Sequence, residues 1–374
     1  MQIGLDTRLV YYRRYSGIGQ YIVQLAEQVA GVDPDRSYTI IHSRKDQNPP
    51  HHPAARLLAA WTPSHHRLEP VTLPIELLRL KLDLLHSPDF IPPFRGRFKR
   101  VITVHDLNFL YYPQFLTAES RRYYNDQIER AVTVADHIMA DSHATRLDMI
   151  KLLNVPEEKI SVVWLAPNAI FRPIEPAPLN EARARLRLPD RYILFAGTWE
   201  PRKNVAGLLR AYRLLLDRDP RQPEVVLAGS RGWLFDETRA LIGQLHLSDH
   251  VRWIDSPNDE DLVVLYNAAA VLVLPSYYEG FGLTVLEAMA CGAPTIISDR
   301  GSLPEIAGGA SLMIDPDDPI ELAEALDRVL HDGELQQQLR HQGFHRVKEF
   351  SWERCVREVV AVYHRVLGLV TSET

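Results

Sequence analysis

The fold turns on one stretch, Tyr192–Leu216, YILFAGTWEPRKNVAGLLRAYRLLL. Tyr192–Gly197 is a short apolar run ending in glycine, the pattern of a strand buried on both faces. Pro201 marks the start of a helix. Val205, Leu208, Leu209, Tyr212, Leu215 and Leu216 then recur at helical spacing, so one face of that helix is apolar. A buried strand, a glycine turn and an amphipathic helix make one unit of a parallel sheet.

The same alternation runs through the chain. Strands are predicted at Gln2–Leu5, Tyr38–His42, Leu84–Ser87, Val101–His105, His137–Asp141 and Ile160–Leu165, and again at Tyr192–Gly197, Glu224–Gly229, Val251–Ile254, Val271–Pro275, Pro294–Ser298 and Ser311–Ile314. Ile18, Tyr21, Ile22, Leu25, Ala26 and Val29 mark a second amphipathic helix. Between the two groups lies APNAIFRPIEPAPLNEA, residues 166–182, whose prolines suit an interdomain linker. The expectation is an α/β protein of two Rossmann-like, doubly wound parallel-sheet domains facing across a cleft. Residues 1–170 form the first and 171–351 the second, with a terminal helix from about Trp352 to Val370 (segment 352–374) crossing back to the first.

With 374 residues, 46% hydrophobic and 24% charged, the chain is long enough for two large cores. A net charge of −6 argues against a nucleic-acid binder driven by bulk positive charge. The two cysteines, Cys291 and Cys355, have neither zinc-site spacing nor the density of a disulfide framework. The opening MQIGLDTRLV lacks a basic start and apolar run, and no long uncharged apolar stretch follows. A cytoplasmic protein is expected. The basic run Arg95–Arg100 is a solvated loop or a contact for anionic lipid or a phosphorylated acceptor, which adds peripheral membrane contact to the expectation.

In open parallel sheets, ligands bind beyond the carboxyl ends of the strands. Four segments fall there. Gly17 and Gly19 make a tight turn into a helix, although the dinucleotide fingerprint is incomplete. His105 and Asp106 end a β-rich run, where His105 either contacts a substrate or is held by the backbone. Arg202 and Lys203 stand at a helix N-terminus, an unfavourable place for cations unless an anion sits between them. Last comes YYEGFGLTVLEAMACG, residues 277–292. Its glycines allow close backbone approach, and Glu279 in the loop and Glu287 on the helix are too far apart in role to form one carboxylate pair. Alone, such an acidic pair is also what a solvated turn and helix would show. The Asp-x-Asp pairs at 33–35, 217–219, 259–261 and 315–317 read as turn and cap residues, so no metal is expected.

GTWEPRKN (197–204) followed by YYEGFGLTVLEAMACGAPTIISD (277–299) resembles the signatures of retaining glycosyltransferases of the GT-B fold, above all family 4. SGIGQY (16–21), VHDL (104–107), ADSHAT (140–145) and APNAIFRP (166–173) resemble it too, so the likeness spans almost the whole chain. The resemblance implies transfer of a hexosyl group from a nucleoside-diphosphate sugar with retention, with no other cofactor. It implies that Arg202 and Lys203 hold the diphosphate, and that Glu279 contacts the sugar beside the backbone of Gly280, Phe281, Gly282, Leu283 and Thr284. Glu287 is implied to hold the ribose, Gly17 and Gly19 to approach the phosphates or sugar, and His105 to lie by the sugar near its 6-hydroxyl. Many members have arginine where this chain has Thr198, so phosphate binding leans on Arg202 and Lys203.

From the same resemblance GDP-mannose is the favoured donor and UDP-glucose the second. The acceptor is a glycan or lipid-linked sugar of cell-surface polysaccharide or glycoconjugate synthesis, near Tyr11, Tyr12, Tyr15, Phe109, Tyr111 and Tyr112 if those side chains do more than pack. A UDP-glucose-dependent glucosyltransferase and a sugar-nucleotide epimerase stay open as alternatives.

Overall fold

A computed structural model describes residues 1–14, 16–66, 68–115, 118–232 and 235–369. Tyr15 and the expected helix end at Val370 lie outside these residues. The chain divides into two compact units, Met1–Leu165 with Ser351–Thr374, and Ala166–Phe350.

Among the described residues, the first unit holds a seven-stranded parallel sheet in the order β3-β2-β1-β4-β5-β6-β7. The strands are β1 (Gln2–Asp6), β2 (Ser37–Ser43), β3 (Arg56–Ala60), β4 (Leu84–Ser87), β5 (Lys99–Val104), β6 (His137–Ala140) and β7 (Ile160–Val162). Register is set by pairs such as Ile3 with Leu84 and Val101 with His137. Strands β4 and β6 bury every residue, the polar His86, Ser87 and His137 included. The Gly17–Val32 helix is capped by Ser16, whose hydroxyl accepts from Gly19 N at 3.1 Å, and it buries Tyr21, Ile22, Leu25, Ala26 and Val29. The Trp352–Val366 helix packs on it. Its Tyr363 hydroxyl lies 2.6 Å from His86 Nδ1, and His86 Nε2 lies 2.9 Å from the Thr103 hydroxyl. Burial and the nearby His105 charge push His86 down to about 3, so this core histidine stays neutral.

The second unit holds a six-stranded parallel sheet, β10-β9-β8-β11-β12-β13, again among the described residues. These strands are β8 (Tyr192–Ala196), β9 (Glu224–Gly229), β10 (Val251–Asp255), β11 (Val271–Leu274), β12 (Thr295–Ser298) and β13 (Leu312–Ile314). In each sheet the strand order reverses once, between β1 and β4 and between β8 and β11. Such a switch point opens a crevice at the carboxyl ends of the two strands.

Two sequence expectations need correction. Strand β3 was not anticipated. It is an edge strand, RLLAA, with no β-branched residue and only Ala60 buried. The second half of the expected linker is a helix, Pro176–Arg185. Proline costs nothing in a first turn, where its missing N–H would have no partner, so a proline cluster opened this helix instead of breaking the chain into a coil.

Candidate functional site

The switch point of the second sheet gathers most of the expected site residues. After β8 the chain makes a single 3-10 turn, Pro201–Lys203. Asn204 follows in left-handed backbone, at φ 52, and its side chain accepts from Gly207 N at 3.0 Å to cap the Val205–Arg218 helix. That amide also donates to the Pro316 carbonyl at 2.8 Å, which fixes the turn from the far side. After β11, Tyr277 N donates to the Arg202 carbonyl at 2.8 Å, so the two loops are tied together.

Glu279 lies in that second loop, 7% exposed. Its carboxylate accepts from Lys203 Nζ at 2.7 Å, Arg202 Nη1 at 3.0 Å and the Ser276 hydroxyl at 2.6 Å. Arg202 also donates to the Tyr278 carbonyl at 2.6 Å. Burial pushes the Glu279 carboxyl up, but Lys203, Arg202 and Ser276 outweigh it and hold its pKa down at about 2. Arg202 and Lys203, which the sequence assigned to a diphosphate, therefore both bond Glu279.

The glycine turn then leads into the Leu283–Ala290 helix, whose N-cap, Gly282, has no side chain to cap it. Gly282 sits at φ +104, and an added Cβ would lie 2.8 Å from Leu303 Cδ2, so both conformation and space call for glycine. The Ser302 hydroxyl lies 2.7 Å from the Phe281 carbonyl and 3.0 Å from that of Glu279, pinning the turn. The Phe281 ring is buried edge-on against Phe350, so this residue offers its backbone. Thr198 is half-buried just beyond β8, with Ser230 Oγ 3.5 Å away.

Glu287 occupies a different environment on the same helix. It is also 7% exposed, but among the described residues its carboxylate has one hydrogen bond, from the Tyr266 hydroxyl at 3.1 Å. Burial pushes Glu287 up to about 7; Tyr266 opposes this and the Asp259 charge adds to it. A carboxylate has room for about four hydrogen bonds, so Glu287 keeps most of its accepting capacity unused.

Gly17, Gly19 and His105 belong to the other unit. Gly19 has a packing reason of its own, since a Cβ there would lie 1.9 Å from the Arg13 carbonyl oxygen. The His105 ring meets Tyr21 of the same helix edge-on, at 5.5 Å between centroids. His105 Nδ1 lies 2.7 Å from Asp141 Oδ2 and Nε2 lies 3.0 Å from the Pro88 carbonyl. Both ring nitrogens face acceptors, so both donate and the ring is cationic. Burial opposes this charge, but Asp141, Asp89 and the Pro88 carbonyl hold the pKa up at about 9. Of the aromatics, Phe109 is in the core, stacked on Phe90, while Tyr11 and Tyr12 are 44% and 51% exposed. The Tyr111 hydroxyl donates to Asp148 at 2.6 Å.

Several residues of these groups carried no signal in the sequence. Ser276, Ser302 and Tyr266 act only through contacts made by folding. Asn204 could have been found, because an asparagine before an apolar helical run is a cap signature. The first unit also buries Arg8, which bonds Asp6 at 2.7 Å and Glu69 at 2.5 Å beside a His65–Asp89 pair. Its partner Glu69 lies 61 positions away, so spacing could not reveal it.

A family model described as Glycosyltransferase Family 4 matches residues 15–166, and one described as Glycosyl transferases group 1 matches residues 179–346. The O-antigen chain mannosyltransferase B of Escherichia coli is 31% identical over 93% of this chain and 96% of its own length. A D-inositol 3-phosphate glycosyltransferase of Salinispora tropica is 32% identical over 63% of this chain and 52% of its own. Among solved structures, the sucrose-phosphate synthase of Thermosynechococcus elongatus has a TM-score of 0.78 at 24% identity, covering 99% of this chain and all (100%) of that one. Anabaena HepE, solved with UDP and glucose, has a TM-score of 0.77 at 17% identity, over 98% and 100%. At such identities the structural likeness speaks to the fold. With a family model on each half and a near-full-length relative above 30% identity, the chain belongs to the group 1 glycosyltransferases of family 4, with their GT-B fold.

Proposed function

We propose that the protein transfers a mannosyl group from a nucleoside-diphosphate sugar, GDP-mannose in the favoured reading, to a glycan or lipid-linked acceptor in cell-surface polysaccharide synthesis. The E. coli relative named as an O-antigen mannosyltransferase supports the sugar and the acceptor class. The observation that carries the reading is the Glu279–Arg202–Lys203 group beside an uncapped helix N-terminus at the β8/β11 switch point. Cations and free N–H groups together suit a diphosphate.

The residues divide the donor among them. Lys203 and Arg202 turn from Glu279 toward the phosphates and stabilise the charge that builds there as the sugar leaves. Glu279, ionised at any neutral pH, accepts hydrogen bonds from the sugar hydroxyls and stabilises positive charge at the anomeric carbon. Glu287 accepts the two ribose hydroxyls with the capacity Tyr266 leaves unused. His105, already carrying two ring protons, suits donation to a sugar oxygen and does not suit a general base.

In the proposed same-face reaction, the bond from the anomeric carbon to the phosphate oxygen breaks and a bond to the acceptor oxygen forms. The acceptor proton passes to the leaving phosphate oxygen, and configuration is retained without a covalent intermediate on Glu279. A glycosyl adduct trapped on Glu279 during turnover would overturn this route. No metal enters the proposal. One carboxylate of each Asp-x-Asp pair has a partner of its own: Asp33 with Tyr38, Asp219 with Arg221, Asp261 with Arg185 and Asp315 with Arg300. Turnover abolished by EDTA and restored by Mg²⁺ would contradict this.

The test of the whole reading is a calorimetric panel of GDP, UDP, ADP and their sugars, followed by turnover with the best donor. GDP and GDP-mannose binding, with product formed only when acceptor is added, is the expected result. Preference for UDP and UDP-glucose would make the protein a glucosyltransferase. Product from donor alone would make it an epimerase.

A further inference from the structure

The Glu69–Leu77 helix of the first unit is apolar on two opposite faces. Glu69, Leu73 and Leu77 are buried, 4%, 1% and 2% exposed, and hold the helix to the sheet. Leu68, Val71, Ile75 and Leu78 point the other way and are 58%, 62%, 61% and 78% exposed. The flanking residues Leu68 and Leu78 keep helical dihedrals, so the row is continuous. At 3.6 residues per turn these four side chains fall within roughly 80° of arc. Trp61, 67% exposed, lies beside this helix, its backbone N donating to Glu76 at 2.8 Å. A surface helix normally turns charge outward, and a contiguous exposed apolar row marks a binding face.

The surroundings select the occupant. Arg44 stacks over the Trp61 ring at 4.0 Å, and Arg44, Lys45, Arg79 and Lys81 are all exposed. Glu76 accepts from the backbone N–H groups of Trp61 and Thr62, at 2.8 and 2.7 Å, and Asp46 beside Lys45 pairs with Arg14. An exposed apolar row with an exposed aromatic and exposed cations beside it, on a chain whose net charge is −6, is complementary to a lipid surface carrying negative headgroups. We propose that this helix, with Trp61, Arg44 and Arg79, seats the first unit on an anionic bilayer. This surface is separate from the basic run Arg95–Arg100, where Lys99 pairs with Asp136 and Phe98 is buried. It does not depend on the donor reading of the second unit.

The test is vesicle flotation, with phosphatidylcholine alone or mixed three to one with phosphatidylglycerol. The wild-type chain is expected to float with the mixed vesicles, weakly with the neutral ones, and to be released by about 0.5 M salt, where surface charges are screened. Val71→Ser/Ile75→Ser/Leu78→Ser should cut binding at least tenfold while melting at the wild-type temperature. Arg79→Glu/Lys81→Glu should lose the preference for anionic vesicles. If the triple variant melts early, Leu78→Ser alone and quenching of Trp61 by brominated lipid, absent in Trp61→Phe, carry the same test. No flotation of the wild type, or undiminished flotation of the variants, would overturn the proposal. A lipid-free dimer that the triple variant converts to monomer would assign the face to a second copy and overturn it equally.

Discussion

Glu279 and Glu287 are eight positions apart and equally buried, at 7% exposure, yet one has a pKa of about 2 and the other about 7. Burial pushes both up. The difference is in their neighbours: two cations and a hydroxyl on Glu279, one phenol and a nearby aspartate on Glu287. Burial sets the cost of a charge, and the partners decide whether it is carried. Glu279 is thus a fixed anion, and Glu287 a carboxylate whose charge awaits further donors.

The largest expected effect breaks the Glu279 side. Glu279→Gln removes the fixed anion and should lower kcat by about 10²–10³-fold, the scale of one lost transition-state contact. It should leave nucleoside-diphosphate affinity unchanged or tighter, because Arg202 and Lys203 are then released to the phosphates. Lys203→Met comes next. It should weaken diphosphate binding by roughly tenfold or more, the worth of one charge-assisted hydrogen bond. It also leaves a buried carboxylate with one cation fewer, so Glu279 moves up from about 2 and acid stability changes. In the wild type the depressed pKa contributes stability that is present above the unfolded value and lost as pH falls toward 2. Acid denaturation followed by circular dichroism should show a smaller loss, complete at higher pH, in the variant.

The Glu287 side is sharpened by pH. Its raised pKa means the folded state favours the protonated acid. Stability should therefore fall as pH rises from the ordinary glutamate value to about 7, then level off, by an amount on the order of 3 kcal/mol. Glu287→Gln should flatten that slope in denaturant titrations. Nucleoside-diphosphate binding should tighten between pH 6 and 8 in the wild type, as the carboxylate forms to meet the ribose, and stay flat in Glu287→Gln. The smallest effect is Tyr266→Phe. Losing the one donor should move the binding transition to higher pH and weaken binding at pH 7 by several-fold, about 1 kcal/mol.

The sequence carried this architecture because strands buried on both faces have to be apolar throughout, so β8 and β11 stood out as runs. It missed β3, an edge strand where Leu57 is exposed, Leu58 is half-buried and only Ala60 is buried. It misread Pro176 and Pro178 because proline ends a helix interior and begins a first turn with equal ease. For the site, Glu279, Arg202, Lys203 and Glu287 were legible from their places after strands and from family resemblance. Their pairings were not. The Lys203–Glu279 bond spans 76 positions, and the sequence reading had aimed both side chains at different parts of the donor. His105 was expected near the sugar, but its cationic state depends on Asp141 and the Pro88 carbonyl, contacts that exist only once β4, β5 and β6 are side by side.

The division of labour between the two glutamates is tested most directly by calorimetry of the bare nucleoside diphosphate with Glu279→Gln and Glu287→Gln, side by side at pH 8. Binding kept in the first and weakened about tenfold in the second is the expected result. Equal loss in both, or loss confined to the first, would contradict it.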